Sequence, residues 1–284
     1  MDRPTKPRIS KSGLQILLQA LKLAPEHSEA SNPDVVLVSI DFENTGNLMN
    51  NFLEAEDSQT GLAVLDTKDL HRVNTTKIIS TYNLITGSPS YILKSSKKFL
   101  FGNSSTIRPP EILKSITSII PENRVIVLIG HSVRCEVDVL AKLGFDFREN
   151  SISGIIDTSR LANKVLGICG NSLRELLTVL GCPFNKLHSA GNDAHFALRA
   201  ALLLATRGCK DPSHATSTIL RTISFRDIPY RVDPEVRAAL KKKKRLAKSR
   251  KHQSKSWSVE RQNEIRAERA ANKQRAAQDD HPLI

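Results

Sequence analysis

Apolar residues occur along this chain in short runs that predict buried β-strands. The run at residues 35–42, VVLVSIDF, is rich in β-branched residues and too short for a helix. We therefore expect a strand that is buried on both faces and lies at the centre of a sheet. Four further runs predict four more strands, at residues 61–67, 78–85, 124–130 and 153–158.

Between and around these strands, apolar residues recur at the spacing of a helix. This periodicity predicts five helices, at residues 13–23, 111–120, 133–144, 172–181 and 192–208. Three strands come first, and helices and strands then alternate. Such an order predicts one α/β domain with a mixed five-stranded sheet flanked by helices.

Composition divides the chain into four parts. We expect a helix and a turn-rich connector in residues 1–32, the α/β domain in 33–210, a linker in 211–240, and a basic tail, helical or disordered, in 241–284. A segment rich in Ser, Gly and Pro, residues 86–110, is predicted to be an insertion after the third strand.

Charge is distributed unevenly along the chain. The tail has 14 basic and 5 acidic residues, a net charge of +9 out of +13 for the whole chain. This asymmetry predicts a polyanionic partner, a nuclear-import signal, or both, with the run at 241–252 at its centre. No apolar run approaches the roughly 18 residues of a membrane span, so no membrane association is expected.

Two carboxylates, Asp41 and Glu43, stand at the end of the predicted central strand. Residues two apart in a strand point to the same face, so both acids would emerge side by side. Adjacent carboxylates repel one another unless a cation lies between them, and such oxygen ligands suit Mg²⁺ or Mn²⁺. The alternative is that the strand ends at Asp41 and the acids face solvent in a turn before Gly46.

A third acid, Asp193, follows His188 by five residues. At about 100° per residue, Asp193 shares the buried face of its helix with Ala197 and Leu204. A buried carboxylate is costly unless it is paired or binds a metal. The alternative is an acid in the first helical turn, favoured by the helix dipole, with Asn192 as the N-cap.

Helix 133–144 contains two acids, and the helical wheel separates them. Glu136 lies on the same side as Leu140 and points toward the sheet, whereas Asp138 points toward water. The alternative for Glu136 is a boundary residue that pairs with Arg134 or Lys142.

The order of these motifs resembles the DEDDh 3′–5′ exonucleases of the RNase H-like superfamily. SIDFENTG is similar to the first motif of that family, IGHSVRCEVDVL to the second, and LHSAGNDAHFALRA to the third. The resemblance covers residues 35–207 and is closest to fungal members, some linked to mRNA export factors. It implies an RNase H-like fold.

The resemblance also implies an activity, the removal of nucleotides from a 3′ end by hydrolysis. Two Mg²⁺ or Mn²⁺ ions, about 3.5 to 4 Å apart, would be bound by Asp41, Glu43, Glu136 and Asp193. His188 would accept a proton from the attacking water as the general base. Glu136 departs from the family pattern, which has Asp at this position. The extra methylene moves the carboxylate by about 1.5 Å, the length of one C–C bond.

Three functions remain open on the sequence. The first is a nuclease acting on RNA or another single strand, with RNA preferred to DNA and a nuclear or nucleocytoplasmic location. The second is an RNase H-like adaptor that binds nucleic acid in RNA metabolism or mRNA export and is catalytically weakened by Glu136. The third, a DNA-directed proofreading or repair exonuclease, shares every site residue with the first.

Overall fold

The computed structural model describes residues 8–24, 34–46, 57–71, 78–211 and 215–225, together with 261–264, 266–269 and 271. The chain divides into two compact units, residues 1–230 and 231–284. In the second unit the described residues are helical and exposed. The basic run at 241–252 lies outside the described residues.

The first unit contains a mixed sheet with β1 at its centre. Its strands are β1 (Val35–Glu43), β2 (Ser58–Asp66), β3 (Ser80–Thr86), β4 (Ser105–Thr106), β5 (Val125–Gly130) and β6 (Ile152–Asp157). The order across the sheet is β4-β3-β2-β1-β5-β6. β1 pairs antiparallel with β2 and parallel with β5. The predicted mixed sheet is confirmed, with six strands instead of five, because the insertion at 86–110 adds the two-residue edge strand β4.

Helices flank the sheet. In the described part of the first unit they are α1 (Gly13–Ala20), α2 (Pro89–Ser96), α3 (Ile112–Ile119), α4 (Arg134–Lys142), α5 (Thr158–Leu166), α6 (Leu173–Leu180), α7 (Ala190–Gly208) and α8 (Ala215–Phe225). The pattern of apolar residues did not predict α2, α5 or α8. Helix α2 begins where the Ser88 side chain accepts a hydrogen bond from the Tyr91 N–H, with Pro89 as its first residue.

Alternation along β1 determines which helix each of its residues meets. Val35 and Leu37 belong to the core that the sheet forms with α7. Val36, Val38 and Ile40 belong to the opposite core, formed with α3 and α4. Because alternate residues share a face, Asp41 and Glu43 lie on the side of α7.

Segments on both sides of the predicted domain contribute to the same core. Leu17 of α1 and Leu220 of α8 are each fully buried in the cluster that contains most of α7. Helix α8 therefore lies within the segment predicted as a linker, and it packs on α7.

Candidate metal centre

The end of β1 holds a carboxylate whose environment is strongly anionic. Burial raises the pKa of Asp41 well above its usual value, and the charges of Asp193, Glu136 and Glu43 raise it further. A charge shifts the pKa of another group only when the two are near each other, so Glu43, Glu136 and Asp193 all lie in the neighbourhood of Asp41. They come from three elements, β1, α4 and α7.

Two glycines allow α7 to approach the strands beside Asp41. Gly61 is the register partner of Asp41 on β2, and a Cβ added there would lie 2.0 Å from the carbonyl carbon of Ala190. A Cβ added at Gly191 would lie 2.8 Å from the Cβ of Asn83 on β3. The first turn of α7 therefore lies directly against the backbone of the sheet. Glycine inside an apolar strand is the sequence signal for such a contact.

Asp193 lies in this first turn and is 8% exposed. Its Oδ2 accepts a hydrogen bond of 2.9 Å from the His188 N–H, whereas its Oδ1 has no partner among the described residues. Burial and the charge of Glu43 raise the pKa of Asp193 to about 7, against the opposing effect of the hydrogen bond from His188. A buried oxygen without a partner is suited to binding a cation.

The suggestion that Asn192 is the N-cap is wrong. Helix α7 begins two residues earlier, with Ser189 at the N-cap position. Asn192 is instead fully buried, and its side chain binds three backbone groups. It accepts from the Leu100 N–H and donates to the carbonyls of Lys98 and Lys186. These bonds connect the insertion at 86–110 to the start of α7.

His188 is exposed and adopts a φ of 65° immediately before the N-cap of α7. Its Nδ1 lies 3.9 Å from Oε1 of Glu43. Ligand atoms of Glu43, His188 and Asp193 all lie within 4.8 Å of one another. The imidazole is therefore next to the acidic cluster and open to solvent.

Glu136 lies in the first turn of α4 and is 7% exposed. Burial raises its pKa to about 7, with a further contribution from the charge of Asp157. The pairing of Glu136 with Arg134 or Lys142, the alternative from the sequence, is not found among the described residues, where Glu136 Oε2 has no partner. Its inward position agrees with the helical wheel.

The turn between β5 and α4 is fixed by residues at the end of β6. Asp157 Oδ1 accepts hydrogen bonds from the N–H groups of Ser132 and Ser159. Thr158 donates its hydroxyl to the Gly130 carbonyl. A ring nitrogen of His131 lies 3.0 Å from the Thr158 hydroxyl oxygen. These contacts set the position of α4 and hence of Glu136.

A polar network on the opposite side of the site escaped the sequence analysis. The Tyr91 hydroxyl of α2 accepts hydrogen bonds from the side-chain amides of Asn44 and Gln59. Gln59 Oε1 in turn accepts from the Ser189 hydroxyl at 3.5 Å. The network thus joins the residue after Glu43 to the N-cap of α7. No pattern in the sequence indicated this network, because α2 itself was not predicted.

The donor set fits a hard divalent cation. It consists of carboxylate oxygens with one nearby imidazole, and two buried oxygens, Glu136 Oε2 and Asp193 Oδ1, have no partner in the described part of the chain. Burying several carboxylates without a counter-charge is strongly unfavourable, and a bound cation would remove that cost.

Fold and site together define the class. A mixed sheet flanked by helices, with acids from the central strand and two helices converging at one edge, is the arrangement of an RNase H-like domain with a nuclease-type centre. The sequence model of a family described as DEDDh_C, DNA polymerase III subunit epsilon-like, C-terminal domain, matches residues 36–204. This is more than half of the chain, which therefore belongs to the DEDDh 3′–5′ exonuclease family.

Exonucleases of this family depend on divalent metal ions and bind nucleic acid. None of the curated proteins matches the chain. Within its described part, the chain has no helix with the length and apolar character that crossing a bilayer requires.

Proposed function

We propose that this protein is a metal-dependent exonuclease that removes nucleotides from the 3′ end of single-stranded nucleic acid, with RNA preferred to DNA. The observation that supports this most strongly is the convergence of Asp41, Glu43, Glu136 and Asp193 beside His188, with buried oxygens left for a cation. Asp66, at the other end of the same strands, is instead paired with Arg124.

The four carboxylates would hold two Mg²⁺ or Mn²⁺ ions. When bound, such ions supply positive charge at the phosphoryl oxygens and lower the pKa of water. The carboxylates then act as ligands, and proton transfer falls to another group. His188 is suited to this role because its imidazole is exposed next to Glu43, where it can accept the proton of the attacking water at a ring nitrogen. The backbone N–H of His188 meanwhile donates a hydrogen bond to Asp193 and orients its carboxylate.

One observation favours a second function, an RNA-associated adaptor with weakened catalysis. Glu136 occupies the position where the family has Asp. The longer side chain would displace its carboxylate and so weaken metal binding. Against this, the remaining site residues are those of the family motifs.

The proposed location rests on charge outside the centre, and the proposed substrate rests on a family resemblance. The tail, residues 241–284, has a net charge of +9, which suits phosphate attraction and a nuclear or nucleocytoplasmic location. The preference for RNA rests on the resemblance to fungal proteins linked to mRNA export factors. The matching family description names a DNA polymerase subunit, so DNA is the comparison substrate in the test below.

A cleavage assay tests the proposal. The purified chain is incubated with 5′-labelled single strands of RNA and of DNA, with Mn²⁺, Mg²⁺ or EDTA, and the products are separated by length. We expect progressive shortening from the 3′ end with either metal, faster on RNA, and none in EDTA. Asp41→Ala should lower the rate at least about 1000-fold, since it removes a ligand that stabilises the transition state by several kcal/mol.

Glu149→Ala is the matched control, because Glu149 is an exposed acid in a turn outside the site. It should leave the rate unchanged. If the wild type and Asp41→Ala are equally inert on both strands while both bind RNA, the protein is an adaptor and not a nuclease.

A further inference from the structure

Two segments beside the metal centre contain basic residues and no acids. Residues 86–110 include Lys94, Lys97 and Lys98, and residues 176–192 include Lys186, with no Asp or Glu in either segment. We name these four residues the lysine patch. The fourth basic residue of the insertion, Arg108, does not belong to the patch, because its guanidinium pairs with Glu111 at 2.7 Å.

Hydrogen bonds place the lysine patch against the loop that bears His188. The Lys98 ammonium group donates to the His188 carbonyl at 3.4 Å. The Lys186 ammonium group donates to the Lys97 carbonyl at 2.8 Å. Lys97 is the C-cap of α2, and Lys94 lies in the last turn of that helix. The patch therefore borders the metal centre on the side of α2.

The charge of the patch is open to solvent. Lys94, Lys97 and Lys186 are exposed, and Lys98 is half-buried. The acceptor that Lys98 uses is a neutral carbonyl oxygen, which leaves its positive charge uncompensated. Among the described residues, no carboxylate forms an ion pair with Lys94, Lys97 or Lys98.

The position of this charge matters because the neighbouring centre is anionic. Four carboxylates repel an approaching phosphate when no metal is bound, and two divalent cations bring their summed charge only to zero. A cationic surface at the border of the centre attracts the phosphates that precede the reacting one. An ammonium group binds phosphate as a point charge and makes no distinction between bases.

We propose that the lysine patch binds the phosphates of a single strand next to the 3′-terminal nucleotide and so holds the strand against the metal centre. The proposal rests on the proposed function and adds the substrate's backbone as the group recognised. Because phosphates are common to both nucleic acids, the patch strengthens the binding of RNA and of DNA equally. Any preference between them arises elsewhere in the chain.

The test measures how binding depends on salt. Fluorescence anisotropy gives the affinity of the full chain for a labelled single strand of RNA or DNA over a range of NaCl concentrations. Ca²⁺ replaces Mn²⁺, and a gel verifies that the strand stays intact. For single strands, each phosphate contact contributes about −0.7 to the slope of log K against log salt. In the variant Lys94→Gln/Lys97→Gln/Lys98→Gln the magnitude of this slope should therefore decrease by about 2 for both strands.

A matched variant, Lys114→Gln/Lys142→Gln/Lys164→Gln, changes the net charge equally at three exposed lysines of α3, α4 and α5. It should leave the slope within about 0.5 of the wild-type value. An unchanged slope in the first variant, or an equal decrease in both, would overturn the proposal. So would a decrease for only one of the two strands.

Failure of this proposal is distinguishable from failure of the proposed function. The salt slope is measured without cleavage, whereas the exonuclease assignment depends on cleavage and its loss in Asp41→Ala. If the wild type does not cleave but the patch variant has a smaller salt slope, the phosphate-binding proposal holds and the exonuclease assignment is wrong. If the wild type cleaves and the patch variant has an unaltered salt slope, the exonuclease assignment holds and the phosphate-binding proposal is wrong.

Discussion

The pKa values of carboxyl groups are shifted in opposite directions at the two ends of the β1–β2 pair. Asp66, at the end of β2, receives hydrogen bonds of 2.6 and 2.8 Å from Arg124. Partial burial raises the pKa of Asp66, but Arg124 outweighs burial and holds the pKa below its usual value. At the other end, burial and neighbouring acids raise the pKa of Asp41, Glu136 and Asp193.

The difference shows that the acidic cluster is not a general property of this fold. Asp66, which lies away from the cluster, has the arginine Arg124 within hydrogen-bonding distance. Where Asp41, Glu136 and Asp193 meet, the lysine patch lies at the border, and two buried oxygens, Glu136 Oε2 and Asp193 Oδ1, have no partner in the part of the chain that the structure describes. Such an arrangement reduces the stability of the metal-free protein and provides a site for a cation.

The largest effect expected from this contrast is on the pH dependence of stability without metal. Carboxyl groups titrate near pH 4 in the unfolded chain, whereas those of Glu136 and Asp193 titrate near pH 7 when folded. The folded state therefore binds more protons between these values. Lowering the pH from 8 to 5 in EDTA should stabilise the protein by about 4 kcal/mol relative to a variant that lacks these two carboxyl groups, measured by urea unfolding.

Two comparisons isolate the cluster in that experiment. The double variant Glu136→Gln/Asp193→Asn is the reference without the two carboxyl groups. Buried His131 and His195, whose pKa values burial lowers, destabilise both proteins equally as the pH falls, so their effect cancels in the difference. Saturating Mn²⁺ should give the wild type the pH dependence of the double variant, because metal ligands must be deprotonated. Asp66 has the opposite sign, because its stabilisation is lost only as the pH falls below about 4. The same change in stability between pH 8 and pH 5 in the wild type and in the double variant would contradict the anionic centre.

Much of this contrast could be predicted from the sequence, because it depends on local pattern. The β-branched run of β1 places Asp41 and Glu43 on one face, and helical periodicity turns Glu136 inward. The short strand β4 and helix α2 could not be predicted, since they lie in a Ser-rich segment without apolar periodicity. Their position depends on tertiary contacts such as those of Asn192, which no local pattern encodes.

A smaller effect is expected from widening the gap between β2 and α7. In Gly61→Ala the new methyl group would occupy the position of the Ala190 backbone, so the first turn of α7 must move. We expect a loss of about 1 to 3 kcal/mol in the free energy of unfolding. Displacement of Asp193 and His188 should lower kcat about 100-fold, since catalysis is sensitive to shifts of about 1 Å.

Gly154→Ala is the control for this substitution. A Cβ at Gly154 on β6 would meet side-chain atoms of Ile16 and Ser10 at 3.4 Å or more, which is ordinary contact. The control should change stability by less than about 1 kcal/mol and leave kcat unchanged. If both glycine variants have wild-type kcat, the close approach of α7 to β2 does not position the centre.

The smallest effect is expected on metal affinity, from a change at Glu136, the site residue that differs from the family pattern. Glu136→Asp shortens the buried side chain by one methylene, about 1.5 Å. If the family spacing between α4 and β1 is retained, the shorter carboxylate should bind Mn²⁺ up to about tenfold more tightly, as measured by calorimetric titration. Asp138→Glu, a change on the other side of the same helix, should leave that affinity unchanged. A weaker affinity for Mn²⁺ in Glu136→Asp would mean that α4 lies farther from β1 and that the longer side chain bridges the difference. The two ends of the sheet would then differ in their backbone as well as in their charges, because the distance between α4 and β1 at the acidic end would match the longer side chain of Glu136.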